Sequence, residues 1–505
     1  MIAHIDLDAF YAQSQAVLLN IPPEKPVACR QWESVIAVNY PARKFGIKRG
    51  MRIAECRNLC PDIELPHVPT FKKGSTTWSM ENNPQVRTHK VSLDIFRRES
   101  RAIFGYFRQS FNVVEKAGID EGFIDLGSQV YARALELYPQ LDHWSPDLEC
   151  PKDYRCWHDV LLTIGAEMIH ELRMKIHAEL HYTCSAGIAP TKQLAKLGSA
   201  FKKPFNQTLV LSADREEFIN QGKFTDIWGW GGKRGSSLLE KLRVQDRAEC
   251  IAQFNVDQLV EKLDGDRELA MCAWKTASGT FQTPVKPRTT VKSLLSVKNF
   301  SNEPLMAMND LEEWLITYCS DISARLEDMT LDDPEGRQFR PKTLAVGFKG
   351  GPKYTEFHKQ TPCALPFDKK PYDELMRAVL ALLPNDLGSL FPCRYFSVEC
   401  SNIMSLKCGN LLNALLAGPS HNPEETLFVD EADAFSCPKC RVKLPNSQEQ
   451  EHMDWHVAKE LQQSLNFPEP DLSSRNIGPK RSAIQKRPPP NQPTLFKFFN
   501  PKKNP

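Results

Sequence analysis

Three carboxylates set among apolar residues carry the chemistry that this 505-residue sequence suggests first. Asp6 lies in Ile2-Ala3-His4-Ile5-Asp6-Leu7-Asp8, and Asp120 and Glu121 lie in Gly118-Ile119-Asp120-Glu121-Gly122-Phe123-Ile124-Asp125. An ionised carboxylate withdrawn from water is costly unless a partner compensates it, and a divalent cation is such a partner. Hard Mg²⁺ takes oxygen ligands and shares them with substrate phosphates, so acids converging from distant stretches suit phosphoryl transfer. With 62 acids in the chain, neighbouring acids also arise by chance, and the flanks add the weight. Their apolar alternation predicts strands at 2–7 and 123–126. Neighbouring residues on a strand face opposite ways. Asp120 and Glu121 therefore reach one ion only at a turn, which Gly118 and Gly122 would permit.

A second constellation is Cys437-x2-Cys440-x11-His452-x3-His456. Two thiolates from a short knuckle and two imidazoles one helical turn apart build a tetrahedral Zn²⁺ site, and a unit of about 30 residues can fold on that metal. Its helix has few basic side chains, so a protein partner fits better than a DNA groove. A third is Gln492-Pro493-Thr494-Leu495-Phe496-Lys497-Phe498-Phe499. One helical turn puts Leu495, Phe498 and Phe499 on one side as a plug for an apolar groove. A basic segment, 14–75, holds ten Lys and Arg against five acids, with Arg43 and Arg49 near glycines, and arginine forks suit phosphate oxygens. Residues 184–204 read as strand, turn and basic helix.

The elements that must position these groups follow a globular plan. The chain is too long for one core, so two to four domains are expected. Its 64 basic and 62 acidic residues nearly cancel. Net charge therefore neither demands nor excludes a nucleic-acid partner. Fifteen scattered cysteines and an N-terminus bearing Asp6 and Asp8 fit no secretory signal, and no apolar run is long enough to span a bilayer, so an intracellular protein with no membrane partner is expected. Residues 291–405 read β-α-β-β-α-β. Leu311, Trp314, Leu315, Tyr318, Ile322 and Leu326 are at helical spacing, and Asn309 with Glu312 makes a capping pair in front of a helix from 310. Residues 223–286 read as small helices behind the glycine-rich turn 228–235. Residues 70–91 and 131–155 read as polar loops. The segment 468–505, rich in Pro, Asn, Ser and Lys, is expected to be disordered.

In this order the motifs resemble those of the Y-family translesion DNA polymerases, along nearly the whole chain. The carriers are HIDLDAFYAQ (4–13), IAVNYPARKFGIKRGM (36–51), IDEGFIDL (119–126), CSAGIAPTKQLAKL (184–197) with KKPFNQTLV (202–210), the CPKC and HMDWH of the zinc pattern, and QPTLFKFF (492–499). The resemblance implies an α+β right-hand fold. Its palm would be 1–13 and 76–222, its fingers 14–75, its thumb 223–288 and a βαββαβ little finger 289–405. A linker (406–432), a ββα-like ubiquitin-binding zinc finger (433–466) and a disordered tail (467–505) would follow. It implies that Asp6, Asp120 and Glu121, with the Leu7 carbonyl, hold two Mg²⁺ ions for template-directed nucleotidyl transfer to primer-template DNA. Tyr11 would be the gate against a ribose 2′-hydroxyl. Tyr40, Arg43 and Lys203 would hold the dNTP triphosphate, with Arg49 over the incoming base and Gln31 near the template base.

The zinc module, with one Zn²⁺, would bind ubiquitin through Asp454. Gln492, Leu495, Phe498 and Phe499 would bind the sliding clamp, so that both signals meet on ubiquitylated clamp. Lys480-Arg481 and Lys486-Arg487 would direct the chain to the nucleus. Gln31 and Arg49 together with the zinc module favour the branch that copies past UV-type lesions. The sequence departs from the family pattern at Gly118, usually Ser, at Gly122, usually Ala or Ser, and at Val457, usually aromatic. A non-catalytic repair scaffold is the competing reading, and the retention of all three acids with Tyr11, Arg43 and Lys203 argues against it.

Overall fold

The computed structural model describes residues 1–406 except 146–147, 288–290, 301–302, 332, 334–335 and 364–370, together with the backbone of Ala434–Ser436 and Lys443–Pro445. A five-stranded sheet is at its centre. In spatial order its strands are Gln207–Leu209, Cys184–Ala189, Ile2–Leu7, Glu121–Asp125 and Val113–Lys116, and the first strand of the chain is antiparallel to both of its neighbours. Strand alternation sorts its residues. Ala3, Ile5 and Leu7 share one core with Ile124 and with Phe96, Phe104 and Phe107 of the helix Asp94–Ser110 and Ile164 and Ile169 of the helix Trp157–Leu180. On the opposite side Ile2 and Phe123 pack with Leu194, Ala195 and the small helices between Lys233 and Ala277. Burying one such Leu, Ile or Phe contributes about 1.5–3 kcal/mol, so the alternation fixes which way the intervening acids point.

Residues 291–405 form the expected βαββαβ unit. The strand order is Ser293–Asn299, Tyr395–Leu406, Gln338–Gly350, Thr355–Pro362, all antiparallel, and the helices Met308–Leu331 and Pro371–Leu382 pack on it. All six residues expected on the apolar stripe of the first helix are buried. The helix starts at Met308, so Asn309 lies inside it and the expected capping pair does not form.

Neither segment read as loop is wholly so. Residues 70–91 form a three-stranded sheet of the very short strands Trp78–Ser79, Thr70–Lys72 and His89–Val91. Residues 131–137 continue the helix Gly127–Leu137, and a 3₁₀ turn Pro139–His143 follows. Strands of two or three residues are too short for periodicity to show, and the helix is anchored by Val130 and Ala134 rather than by a continuous stripe. The turn 228–235 is built on glycine as expected. Gly229 and Gly232 have positive φ, and a Cβ on Gly235 would lie 1.9 Å from the Trp230 carbonyl oxygen.

Candidate active site

The Ile2–Leu7 and Glu121–Asp125 strands pair so that Asp6 is the register partner of Glu121. Asp120 ends the turn just before that strand, and its carbonyl accepts from the Leu7 amide at 2.8 Å. The turn closes with the Ala117 and Gly118 amides on the Glu121 carbonyl. Neither Gly118 nor Gly122 adopts positive φ, so the turn does not use their conformational freedom. Gly122 is needed for space instead: a Cβ there would lie 2.8 Å from Cε1 of Phe104 and 3.1 Å from the Glu115 carbonyl oxygen.

Asp6, Leu7, Tyr11, Tyr40, Arg43, Arg49, Asp120 and Lys203 line one cavity of about 750 Å³. Four separate stretches supply them. Tyr40 and Arg43 come from a helical turn, Tyr40–Arg43, whose N-cap Asn39 accepts from the Ala42 and Val27 amides at 3.0 Å and donates to the Lys25 carbonyl. Arg43 bonds the Val38 carbonyl through Nε and lies over the Tyr40 ring at 4.5 Å. The Tyr40 hydroxyl is pushed up to about 12 by burial and by the Asp8 carboxylate, so it stays protonated. The Tyr11 ring lies tilted against Phe96 with centroids 4.4 Å apart. Gln31 does not line the cavity; it ends the strand Ala28–Gln31 at a hairpin.

The carboxylates are met by ammonium groups. Lys203 Nζ bonds Asp6, and Lys196 Nζ, from the helix Lys192–Ala200, bonds Glu121. Burial, and next the charge of Asp6, raise Asp120 above the usual carboxylate range. A cation held between these oxygens would relieve that repulsion. The donor set of Asp6, Asp120 and Glu121 with the Leu7 carbonyl is of the hard-oxygen kind that fits Mg²⁺. Among the described residues no three His, Cys, Asp or Glu side chains already close on a common point, because Asp6 and Glu121 turn toward their lysines.

A model of the impB/mucB/samB family matches residues 5–200, and a model of that family's C-terminal domain matches 291–410, together more than half of the chain. The chain is 28% identical to DNA polymerase eta of Saccharomyces cerevisiae over 98% of its own length and 93% of that protein. It is 30% identical to DNA polymerase eta of Arabidopsis thaliana over 65% of its length, and spans half of that relative. A solved Y-family DNA polymerase chimera superposes with a TM-score of 0.52 at 18% identity, covering 80% of this chain and 99% of the other. The chain belongs to the Y family of DNA polymerases.

In this Y-family chain three residues behind the carboxylates were missed by the motif reading. Asp8 is buried and accepts from Ser185 Oγ at 2.9 Å and from the Phe205 amide at 2.8 Å, and burial raises it above the usual range. His4 is fully buried, bonded to Ser199 Oγ at 2.7 Å, with Nε2 3.5 Å from Glu121 Oε2. Burial keeps its ring neutral, while the approach of that ring, followed by the hydrogen bond from Lys196, holds Glu121 down at about 2. Lys196 is the third. A polar residue at each of positions 4, 6 and 8 was the available signal for His4 and Asp8.

A ubiquitin-binding zinc-finger model matches 433–464, a stretch that contains Cys437, Cys440, His452, Asp454 and His456. These five residues lie outside the described residues, although the flanking strands Ala434–Ser436 and Lys443–Pro445 pair as an antiparallel hairpin. Gln492, Leu495, Phe498, Phe499 and Val457 also lie outside them. No helix among the described residues is long and apolar enough to cross a membrane.

Proposed function

We propose that this Y-family polymerase extends primer-template DNA past UV-type lesions, with nucleotidyl transfer at Asp6, Asp120 and Glu121. The observation that supports this most is the joining of Asp6, Asp120, Tyr40, Arg43, Arg49 and Lys203 around one cavity in a chain of this family. Two bound Mg²⁺ ions would supply acidification of the primer 3′-hydroxyl and neutralisation of the pyrophosphate. The chain's own groups do the rest. The three acids and the Leu7 carbonyl would hold the ions. Lys203, freed from Asp6, turns with Tyr40 and Arg43 to the triphosphate, and Tyr11, braced on Phe96, walls off a 2′-hydroxyl. Arg49 covers the incoming base, and Gln31 meets the template base from the hairpin tip.

In this reading the palm is 1–13 and 76–222, the fingers 14–75, the thumb 223–288 and the little finger 289–405. The zinc finger, with one Zn²⁺, binds ubiquitin through Asp454, and 492–499 binds the sliding clamp. Held together by one chain, these two contacts add avidity on a ubiquitylated clamp in the nucleus. The test is primer extension by purified protein on an undamaged template and on one carrying a thymine dimer, beside Asp120→Ala/Glu121→Ala. Extension across the dimer that the double variant loses while still binding DNA supports the reading. Stalling at the dimer would assign another branch of the family, and extension by the variant would overturn the metal assignment.

A further inference from the structure

The three-stranded sheet at 70–91, for which the catalytic reading has no use, lies against the βαββαβ module. The helix Met308–Leu331 carries two stripes. Its apolar stripe enters the module's own core, and a second stripe, Asp310, Glu313, Thr317, Asp321 and Asp328, recurs at helical spacing on a different face. Every member of that second stripe is engaged from outside the module. Lys73 Nζ lies 2.6 Å from Asp310 and 2.8 Å from Glu313, and the Gly74 amide donates to the Glu313 carbonyl. Thr317 Oγ1 donates to the Ser75 carbonyl at 3.2 Å, and Arg101 meets Asp328 at 3.1 Å. Lys90, in the strand His89–Val91, meets Asp321 at 2.8 Å with side chains only 9% and 5% exposed, and Ser296 Oγ also donates to Asp321.

One contact runs the other way. Lys298, on the module's strand Ser293–Asn299, donates to the carbonyls of Val86 and His89 at 2.7 and 2.8 Å. Its ammonium also faces the rings of Trp314 in the module and Trp32 at the hairpin tip beside Gln31. Burial pushes this lysine down to about 8. Two buried lysines, each with two oxygen acceptors at this contact, are costly to leave with neither water nor partner, so the contact favours one arrangement over many.

We propose that the 70–91 sheet is a positioning element that holds the βαββαβ module against the catalytic body before DNA is bound, with Lys90, Asp321 and Lys298 as its buried anchors. The module has one covalent connection to the catalytic body, after the helix Arg267–Ala277, so side-on contacts must fix its position. Such a device spares binding the ordering of two separate bodies on the duplex.

The test is the distance between spectroscopic labels carried on noncanonical residues replacing the exposed Leu137 of the body and Leu387 of the module, in the full chain without DNA. The expected result is one narrow distance in the parent protein, a broad distribution in Lys90→Ala, and a narrow one again in Lys90→Met/Asp321→Met, where apolar groups replace both charges. Lys90→Ala should also bind primer-template about tenfold more weakly, and saturating DNA should restore the narrow distance. If Lys90→Ala does not fold, Lys73→Ala, which removes the more exposed pairs, should broaden the distribution to a lesser degree. A broad distribution in the DNA-free parent, or an unchanged narrow one in both lysine variants, would overturn the proposal. Failure of catalysis alone would leave these distances as they are.

Discussion

Asp6 and Glu121 are register partners on adjacent antiparallel strands, and a different lysine meets each: Lys203 on Asp6 and Lys196 on Glu121. Both lysines come from one strand–helix–loop stretch, 184–210, so the stretch that follows the strand Cys184–Ala189 supplies the counter-charge of the site. Each ammonium occupies a place that another cation could take.

The Glu121 carboxyl titrates at about 2 in the folded chain against 4.5 for a free glutamate, first through His4 and then through Lys196. Between those values the unfolded state binds more protons. The contribution is therefore fully present above about pH 4.5 and is lost as the pH falls toward 2. Discounted for the partial exposure of Glu121, it amounts to about 1–2 kcal/mol. Urea unfolding between pH 6 and 3 should show the parent losing roughly half of that amount more than Glu121→Gln, the rest being lost below pH 3, and parallel curves would remove the effect.

Tyr11→Ala should admit ribonucleotides. The ring is held by Phe96 at 4.4 Å and by Phe10 at 5.8 Å, so it cannot easily swing away from the cavity it lines. Single-turnover incorporation should show the preference for dNTP over rNTP falling by at least about tenfold, about 1.4 kcal/mol. Unchanged sugar selection would take the gate role from Tyr11.

Gly122→Ala should destabilise this chain. The new Cβ would stand 2.8 Å from Phe104, a ring packed in the main core. Overpacking of this kind costs about 1–3 kcal/mol, and Phe104→Leu should recover part of it. Thermal unfolding of the two variants and their combination measures this; a neutral Gly122→Ala would mean that Phe104 yields without strain.

Removing zinc with a chelator should abolish ubiquitin binding, measured by calorimetry, while primer extension on undamaged template persists. Phe498→Ala/Phe499→Ala should abolish clamp binding and leave ubiquitin binding intact. Loss of ubiquitin binding as well in Phe498→Ala/Phe499→Ala would mean that the two signals are not independent modules.

By itself the sequence determined the acids, the zinc spacing, the βαββαβ order and the apolar stripe of Met308–Leu331, because each is written in residues close together along the chain. Strand alternation at 2–7 was equally local, and it carries Asp6 and His4 on one face. Tertiary structure alone decided what those residues meet. Lys90 and Asp321 are 231 positions apart, Lys203 and Asp6 are 197, and no periodicity connects such partners. The burial of Asp8 depends on Ser185 and Phe205, and the fit of Gly122 on Phe104. The segment 70–91 looked like a loop for the same reason. Its strands of two or three residues hold no pattern of their own, and their order comes from pairing with one another and from the acidic face of a distant helix.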